Sequence, residues 1–235
     1  MSRPVIVALD LDNEKKLNEL LPKLGKPENV FIKIGMELVF NEGPKIVKQL
    51  SEQGYQIFLD LKMNDIPNTV YNGAKALARL GITYTTVHAL GGSQMIKAAK
   101  DGLIAGTPID KNVPKLLAVT ELTSISDEIL HYEQNCNLSM NDQVLSLATT
   151  AKKAGADGVI CSPLEVKNLR QKVGEDFLYV TPGIRPAGNA KDDQSRVATP
   201  LQAKEWGSTA IVVGRPITLA TDPEAAYEAI KKEFN

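Results

Sequence analysis

The segment Asp60-Leu61-Lys62-Met63-Asn64-Asp65 brings two acids and a base together at short spacing. On a β-strand Asp60 and Lys62 point to one side, which Phe58 continues, while Leu59 and Leu61 point to the other. Charges on a buried face are costly unless they are paired. With Lys33, the segment can form an array of alternating charge in which each group offsets its neighbour's desolvation. A structural salt bridge is the alternative, although it would need only one cation and two are present.

Short apolar runs must position these charges. Eight runs of four or five residues are rich in β-formers, as buried parallel strands are: Val5–Leu9, Val30–Ile34, Ile57–Leu61, Thr85–His88, Leu116–Thr120, Gly158–Cys161, Leu178–Thr181 and Ala210–Val213. Amphipathic stretches follow them at helical spacing: Glu14–Leu24, Pro44–Gln53, Val70–Leu80, Gln94–Leu103, Gln143–Ala154, Leu164–Val173, Leu201–Trp206 and Pro223–Phe234. Eight strand–helix units in 235 residues predict an α/β fold, a (β/α)8 TIM barrel with residues 1–235 as a single domain.

In this fold the carboxyl ends of the strands form the active face. Polar residues do lie near the carboxyl ends of the predicted strands or just beyond them: Asp10, Lys33, Asp60, Lys62, Asp65, His88, Thr120, Thr123, Arg185 and Arg215. Two of them have other interpretations. Asp10 can be a helix N-cap, a role that Asp12 or Asn13 can also fill, and a single histidine such as His88 is more often structural than catalytic.

The last two strands end in a pattern typical of a phosphate site. Gly183 and Arg185 follow the seventh strand, and Gly214 and Arg215 follow the eighth. Loops at these two positions commonly bind phosphate in barrels, since glycine exposes backbone N–H groups and arginine binds an anion with two hydrogen bonds. The polar loop 183–196 carries Gln194 and has the length of a lid. Alternatively, both arginines lie on the surface and only make the protein more soluble.

Composition excludes several classes of protein. Lys and Arg total 27 and Asp and Glu total 28, so no overall field favours nucleic acid or an anionic membrane. The apolar start is too short for a signal peptide, and no stretch is long enough to span a membrane. The two cysteines, Cys136 and Cys161, cannot build a disulfide framework. We therefore expect reduced thiols in a cytoplasmic protein without nucleic-acid or membrane partners.

These motifs resemble the orotidine 5′-phosphate decarboxylase family of bacterial type. The segment Asp60-Leu61-Lys62-Met63-Asn64-Asp65-Ile66-Pro67 matches its D-x-K-x-x-D-I-P signature on the third strand. Further blocks agree in order: Ala8-Leu9-Asp10, Lys33-Ile34-Gly35-Met36-Glu37, Val87-His88-Ala89, Thr120-Glu121-Leu122-Thr123-Ser124, Thr181-Pro182-Gly183-Ile184-Arg185, Asp193-Gln194 and Val213-Gly214-Arg215. The resemblance runs from about residue 5 to the C-terminus.

The resemblance implies decarboxylation of orotidine 5′-monophosphate to UMP, without a metal or cofactor. Lys62 would protonate C6 of the pyrimidine and Asp60 would lie against the substrate carboxylate. Lys33 and Asp65 would complete the charge array. By the same resemblance, Lys33 and Asp10 would bind the ribose, and Thr123 would contact the pyrimidine. The phosphate would be bound by Arg185, Gln194, Gly214 and Arg215. The site of a neighbouring subunit would be reached by Asp65, Ile66 and Thr69. It therefore implies a homodimer with shared sites.

Two alternatives remain open on the sequence. The keto-gulonate phosphate decarboxylases and hexulose-phosphate synthases share D-x-K-x-x-D but bind Mg²⁺ with a glutamate on the second strand. This chain has Lys33 there, and a cation would repel the metal. A non-catalytic nucleotide-binding barrel is the other alternative, although binding alone requires no lysine inside a barrel.

Overall fold

The computed structural model describes residues 3–186 and 197–235, in which eight parallel strands close into a barrel in chain order. The strands are β1 (Val5–Leu9), β2 (Phe31–Gly35), β3 (Gln56–Met63), β4 (Tyr84–His88), β5 (Lys115–Val119), β6 (Gly158–Ile160), β7 (Leu178–Thr181) and β8 (Ala210–Val213). Each strand pairs with the next, and β8 pairs with β1 through Val5 and Ile211. The predicted (β/α)8 barrel is confirmed.

Helices follow the strands along the described chain. The α-helices there are α1 (Glu14–Leu20), α2 (Met36–Glu42), α3 (Lys45–Glu52), α4 (Pro67–Leu77), α5 (Gly92–Gly106), α6 (Met140–Lys153), α7 (Val166–Val173), α8 (Pro200–Trp206), α9 (Arg215–Thr218) and α10 (Pro223–Phe234). Short 3₁₀ turns cover Leu21–Leu24, Pro27–Asn29, Ala78–Leu80, Ala89–Gly91 and Pro163–Glu165, and a π-helical turn covers Ile129–Glu133.

The structure adds two helices and lengthens one strand relative to the sequence prediction. Helix α2 was not predicted because it buries only Leu38 and so lacks an apolar periodicity. Helix α9 has four residues, too few to produce a periodic pattern. Strand β3 extends beyond the predicted Leu61 and includes Lys62 and Met63. All three differences lie at the carboxyl end of the barrel, where the polar residues gather.

The apolar core has an inner and an outer part. The inner part fills the barrel with buried side chains from alternate strand positions: Ile6, Ala8, Phe31, Phe58, Leu117, Val180, Ala210 and Val212. The outer part packs the other strand faces against the helices, and Leu59 and the partly buried Leu61 belong to it. Phe58 and Leu59 therefore face opposite sides of β3, as their alternation predicted.

Two glycines allow α5 to approach α4 closely. A methyl group at Gly102 would overlap the carbonyl oxygen of Tyr71, and one at Gly106 would overlap the backbone of Lys75. Because α4 begins directly after Asp65 and Ile66, this tight packing fixes where that segment leaves the barrel.

Both cysteines, Cys136 and Cys161, are thiols. No helix within residues 3–186 or 197–235 is both long and apolar enough to cross a membrane.

Candidate active site

A cavity of about 290 Å³ opens at the carboxyl end of the barrel. Its volume is near the lower end of the range for sites that hold a small ligand. It brings together nine residues that the sequence singled out: Asp10, Lys33, Asp60, Lys62, Thr123, Gly183, Arg185, Gly214 and Arg215. The remaining walls are largely apolar and include Phe58, Val119 and Ile160.

Asp60 is the centre of the charge cluster. Asp60 is only 8% exposed, and its Oδ2 atom lies 2.8 Å from Lys62 Nζ and 3.8 Å from Lys33 Nζ. A carboxylate at this depth loses most of its hydration, and two ammonium groups compensate for that loss. The structure thus assembles the +−+ part of the predicted array inside the barrel.

Lys33 joins Asp60 to Asp10 on the far side. Lys33 Nζ lies 3.1 Å from Asp10 Oδ1, and the Asp10 side chain is largely exposed at the cavity mouth. Asp10 is not a helix cap, because Asn13 accepts the hydrogen bond from Lys16 N that begins α1.

Across the described residues, no three His, Cys, Asp or Glu side chains gather as a set that could hold a metal ion.

Strand β3 is irregular where it carries Lys62. Leu59 pairs with Thr85 and Met63 pairs with Val87, so β3 contains two more residues than β4 between these pairs. Lys62 lies in this bulge with φ of +49°, a left-handed conformation that costs a non-glycine residue about 1–2 kcal/mol. Lys62 lines the cavity together with Asp60, as their alternation predicted, but it does so from a bulge rather than from a regular strand.

His88 ends β4 beside the cluster. Burial lowers the pKa of the His88 imidazole below its ordinary value, and the Lys62 ammonium lowers it further, whereas Asp60 and Glu121 act in the opposite direction. The net effect is a His88 pKa below the ordinary value of a histidine. His88 does not line the cavity.

The ends of β7 and β8 form the other side of the cavity. Gly183 has φ of +75°, and its carbonyl accepts a hydrogen bond from Ala198 N, while Arg185 N donates to Ala198 O. These two bonds join the start and the end of the loop. Arg185 is 9% exposed, whereas Arg215 begins α9 at the surface after Gly214. Gln194, the fourth predicted phosphate ligand, lies outside the described residues.

Asp65, Ile66 and Thr69 do not line the cavity of their own chain. All three are exposed, and Ile66 retains 67% of its surface. The Asp65 carboxylate accepts a hydrogen bond of 2.6 Å from Ile66 N at the start of α4. The structure therefore separates Asp65 from the cluster of Lys33, Asp60 and Lys62.

Two buried polar residues at the site were not predicted. Glu121 lines the cavity at 3% exposure, and its carboxylate oxygens accept hydrogen bonds from the Gln134 and Gln143 amides at 3.3 and 3.2 Å. Thr86 is fully buried in β4 and contacts Asp60. A carboxylate directly after a predicted strand was a usable signal for Glu121. A threonine within an apolar strand carries no signal.

Comparison with known proteins gives the same assignment over nearly the whole chain. Residues 3–230 match the family described as Orotidine 5'-phosphate decarboxylase / HUMPS family. A protein named orotidine 5'-phosphate decarboxylase from Lactobacillus johnsonii is 99% identical to this chain, and the alignment covers 100% of both chains. A protein of the same name from Enterococcus faecalis is 51% identical, and the alignment covers 99% of this chain and 98% of its relative. The crystal structure of orotidine 5'-phosphate decarboxylase from Lactobacillus acidophilus is 73% identical, with a TM-score of 0.92 over 99% of both chains.

A crystal structure of an uncharacterized conserved protein from Geobacillus kaustophilus is also similar. It is 42% identical with a TM-score of 0.88, and the alignment covers 99% of this chain and 100% of that one. A fold, a charged cavity and sequence matches of this extent lead to one conclusion: the chain belongs to the orotidine 5'-phosphate decarboxylase / HUMPS family.

Proposed function

We propose that this chain decarboxylates orotidine 5′-monophosphate to UMP and CO2, the last step of de novo UMP biosynthesis, as a cytoplasmic homodimer without a metal or organic cofactor. One observation carries the proposal. An ammonium group, Lys62 Nζ, is held 2.8 Å from a buried carboxylate, Asp60, inside a cavity whose opposite wall carries two arginines. This arrangement suits a substrate with a reactive carboxylate at one end and a phosphate at the other.

The two ends of the cavity suit the two ends of the nucleotide. The phosphate binds Arg185, Arg215, Gln194 and the backbone at Gly214, where glycine permits close approach of an anion. Asp10 and Lys33, between the two ends, bind the ribose hydroxyls. The pyrimidine then lies over Lys62, with Thr123 at its edge. This placement is supported by the cavity lining and by the short Lys33–Asp10 contact of 3.1 Å.

Lys62 acts on the carbon that loses CO2. Breaking the C6–carboxylate bond leaves its electron pair on C6, where no adjacent carbonyl accepts it. A fixed ammonium stabilises this developing charge and then transfers a proton to C6, and the neutral amine recovers a proton from solvent. Because Asp60 and the bulge of β3 hold Lys62 in place before substrate binds, little reorganisation accompanies the reaction.

Asp60 has two roles in this proposal. It orients Lys62, and it lies against the substrate carboxylate, where like charges raise the energy of the bound substrate. Loss of CO2 removes that repulsion while the attraction between Asp60 and Lys62 remains. Binding of the distant phosphate, which makes no bond changes, offsets the cost of bringing the substrate carboxylate into this site.

The same family description also covers enzymes of the HUMPS type. A magnesium-dependent reaction of that type requires acidic ligands on the second strand, and here β2 presents Lys33 between Asp10 and Asp60. A cation already compensates the two carboxylates, so a divalent ion would meet repulsion rather than an empty acidic site. We therefore favour the metal-free reaction.

The exposed residues after β3 support a shared site. Asp65, Ile66 and Thr69 face away from their own cavity, and exposed apolar side chains follow the neighbouring strands at the same end of the barrel, namely Met36, Phe40 and Leu90. A two-fold interface here would bury this apolar surface. It would also bring Asp65 of each chain to the charge cluster of its partner and complete the +−+− array.

The reaction and its independence of metal are tested together. After exhaustive treatment with a chelator, the chain should convert orotidine 5′-monophosphate to UMP at the rate of the untreated chain. The rate is measured as the loss of orotidylate absorbance. Release of CO2 in equal amount is the check on stoichiometry. Activity that disappears on chelation and returns with Mg²⁺ would instead support the metal-dependent alternative.

Replacement of Lys62 by alanine should abolish most of the turnover, because the proton donor and its stabilising charge are both lost. Lys62→Ala should retain the circular dichroism spectrum of the parent. Lys48→Ala is the matched control, since Lys48 is an exposed lysine paired with Glu52 at 3.8 Å on α3. Near-parental turnover in Lys62→Ala contradicts the assigned role.

Arg215→Ala should weaken use of the nucleotide far more than use of the nucleoside. Each charge-assisted hydrogen bond to phosphate contributes roughly 1.5–3 kcal/mol, so kcat/KM for orotidine 5′-monophosphate should fall about tenfold or more. Turnover of phosphate-free orotidine should change little, and the exposed Arg79→Ala serves as a matched control. Equal losses on both substrates would show that Arg215 acts elsewhere.

Mixed dimers test whether sites are shared. Lys62→Ala and Asp65→Ala chains should each be nearly inactive alone, but in a mixed dimer one site carries both changes and the other carries neither. Random exchange of equal amounts should restore about a quarter of the parental activity, as expected for a two-fold interface. If mass spectrometry confirms exchange and no activity returns, Asp65 works within its own chain.

A further inference from the structure

Thr86 joins the backbone of Lys62 to the side chain of Asp60. Its hydroxyl accepts a hydrogen bond of 2.9 Å from Lys62 N and donates one of 2.8 Å to Asp60 Oδ1. A hydroxyl has one proton to donate and lone pairs to accept, so one atom satisfies both groups. Thr86 is fully buried, and water has no access to replace it.

The bulge of β3 explains why this hydroxyl is needed. Between the Leu59–Thr85 and Met63–Val87 pairs, β3 has residues without a direct counterpart on β4. Lys62 lies there with φ of +49°, and its N–H leaves the regular ladder and bonds to Thr86 instead. A buried N–H without a partner is destabilising, so the hydroxyl stabilises the strained conformation of Lys62.

The same hydroxyl orients the carboxylate. Asp60 directs Oδ1 to Thr86 and Oδ2 to Lys62 Nζ and Lys33 Nζ. With one oxygen held, the carboxylate plane cannot rotate freely, and the other oxygen stays directed at the two ammonium groups. Both ends of the Asp60–Lys62 pair are thus fixed by one side chain that does not line the cavity.

We propose that Thr86 is a positioning residue, whose hydroxyl sets the relative placement of Lys62 and Asp60 and thereby the rate of the chemical step. The inference rests on the proposed function, in which these two side chains face the reacting carbon. Thr86 lies away from Arg185 and Arg215, the residues proposed to bind the phosphate. Loss of its hydroxyl should therefore affect kcat much more than KM.

Neighbouring threonines provide a matched pair of variants. Thr86→Val keeps the branched shape and removes the hydroxyl, leaving Lys62 N and Asp60 Oδ1 without this partner. Thr85→Val makes the same change one residue earlier on β4. Thr85 is also fully buried, but its hydroxyl has no hydrogen-bond partner among the described residues. Thr85→Val should thus retain parental kcat and thermal stability.

The expected loss for Thr86→Val is on the order of ten- to hundredfold in kcat, the range for removal of hydrogen bonds to charged groups. KM for orotidine 5′-monophosphate and the Kd of UMP by calorimetry should change by less than about threefold. Thr86→Ser, which retains the hydroxyl, should recover most of the lost kcat. If Thr86→Val does not fold, Thr86→Ala and Thr86→Ser form the replacement pair, differing in the hydroxyl alone.

Parental kcat in a folded Thr86→Val chain, or equal kcat in the serine and alanine variants, would overturn the inference. So would a loss that appears in melting temperature and KM while kcat is unchanged, since that indicates a purely structural role. Failure of the proposed function gives a different result. In that case the parent does not decarboxylate orotidine 5′-monophosphate, or Lys62→Ala remains active, whatever the Thr86 variants do.

Discussion

The ion pair between Asp60 and Lys62 is the interaction on which the rest of the site depends. A carboxylate buried to 8% exposure is unstable inside an apolar barrel unless cations lie against it. Lys62 at 2.8 Å and Lys33 at 3.8 Å supply them, and Lys33 is in turn balanced by Asp10 at the rim. Each charge is therefore placed by the need to neutralise the one before it, and the chain of pairs runs from the barrel interior to solvent.

That constraint explains why β3 departs from ideal geometry. In a regular strand the N–H of Lys62 would bond within the ladder to β4. In the bulge Lys62 adopts a left-handed conformation, and its N–H bonds to the Thr86 hydroxyl. Strained backbone persists only where neighbouring groups stabilise it, and here the Thr86 hydroxyl and the Asp60 carboxylate do so. The groups that pair with Lys62 therefore also stabilise its strained backbone conformation.

The two sides of the cavity differ in the chemical groups that they present. The side formed by β1 to β4 is a network of buried ion pairs and hydrogen bonds that exists before substrate arrives. The side formed by β7 and β8 consists of glycines, arginines and a loop whose ends are joined by bonds between Gly183, Arg185 and Ala198. A preorganised charged half suits bond breaking, because its dipoles need not reorient during the reaction. In the proposed reaction, the glycines and arginines of the other half suit phosphate binding, because they offer close backbone approach and charge-assisted hydrogen bonds.

Local pattern was sufficient to predict the eight strands, the barrel and the residues at the strand ends. The alternation of Phe58, Asp60 and Lys62 with Leu59 and Leu61 has a period of two, and such a pattern depends only on neighbours in the chain. The same reasoning limited the cap of α1 to Asp10, Asp12 or Asn13, and the structure assigns it to Asn13. The hydrogen-bond partners of Thr86 and Glu121 could not be predicted, because they lie on other elements, and an apolar strand with a threonine resembles any other.

Tertiary structure alone decided the form of the site. The bulge at Lys62 is defined by the register of β3 against β4, and register is a relation between two strands 20 or more residues apart, as in Leu59 with Thr85. The close packing of α4 on α5 is likewise a relation between distant residues, since Gly102 lies against Tyr71 and Gly106 against Lys75. Chain pattern indicated most of the charged residues that reach the cavity, with Glu121 as an exception. Pairing between distant segments decided how each is held there, because the low dielectric of the interior makes every buried charge depend on partners from elsewhere in the fold.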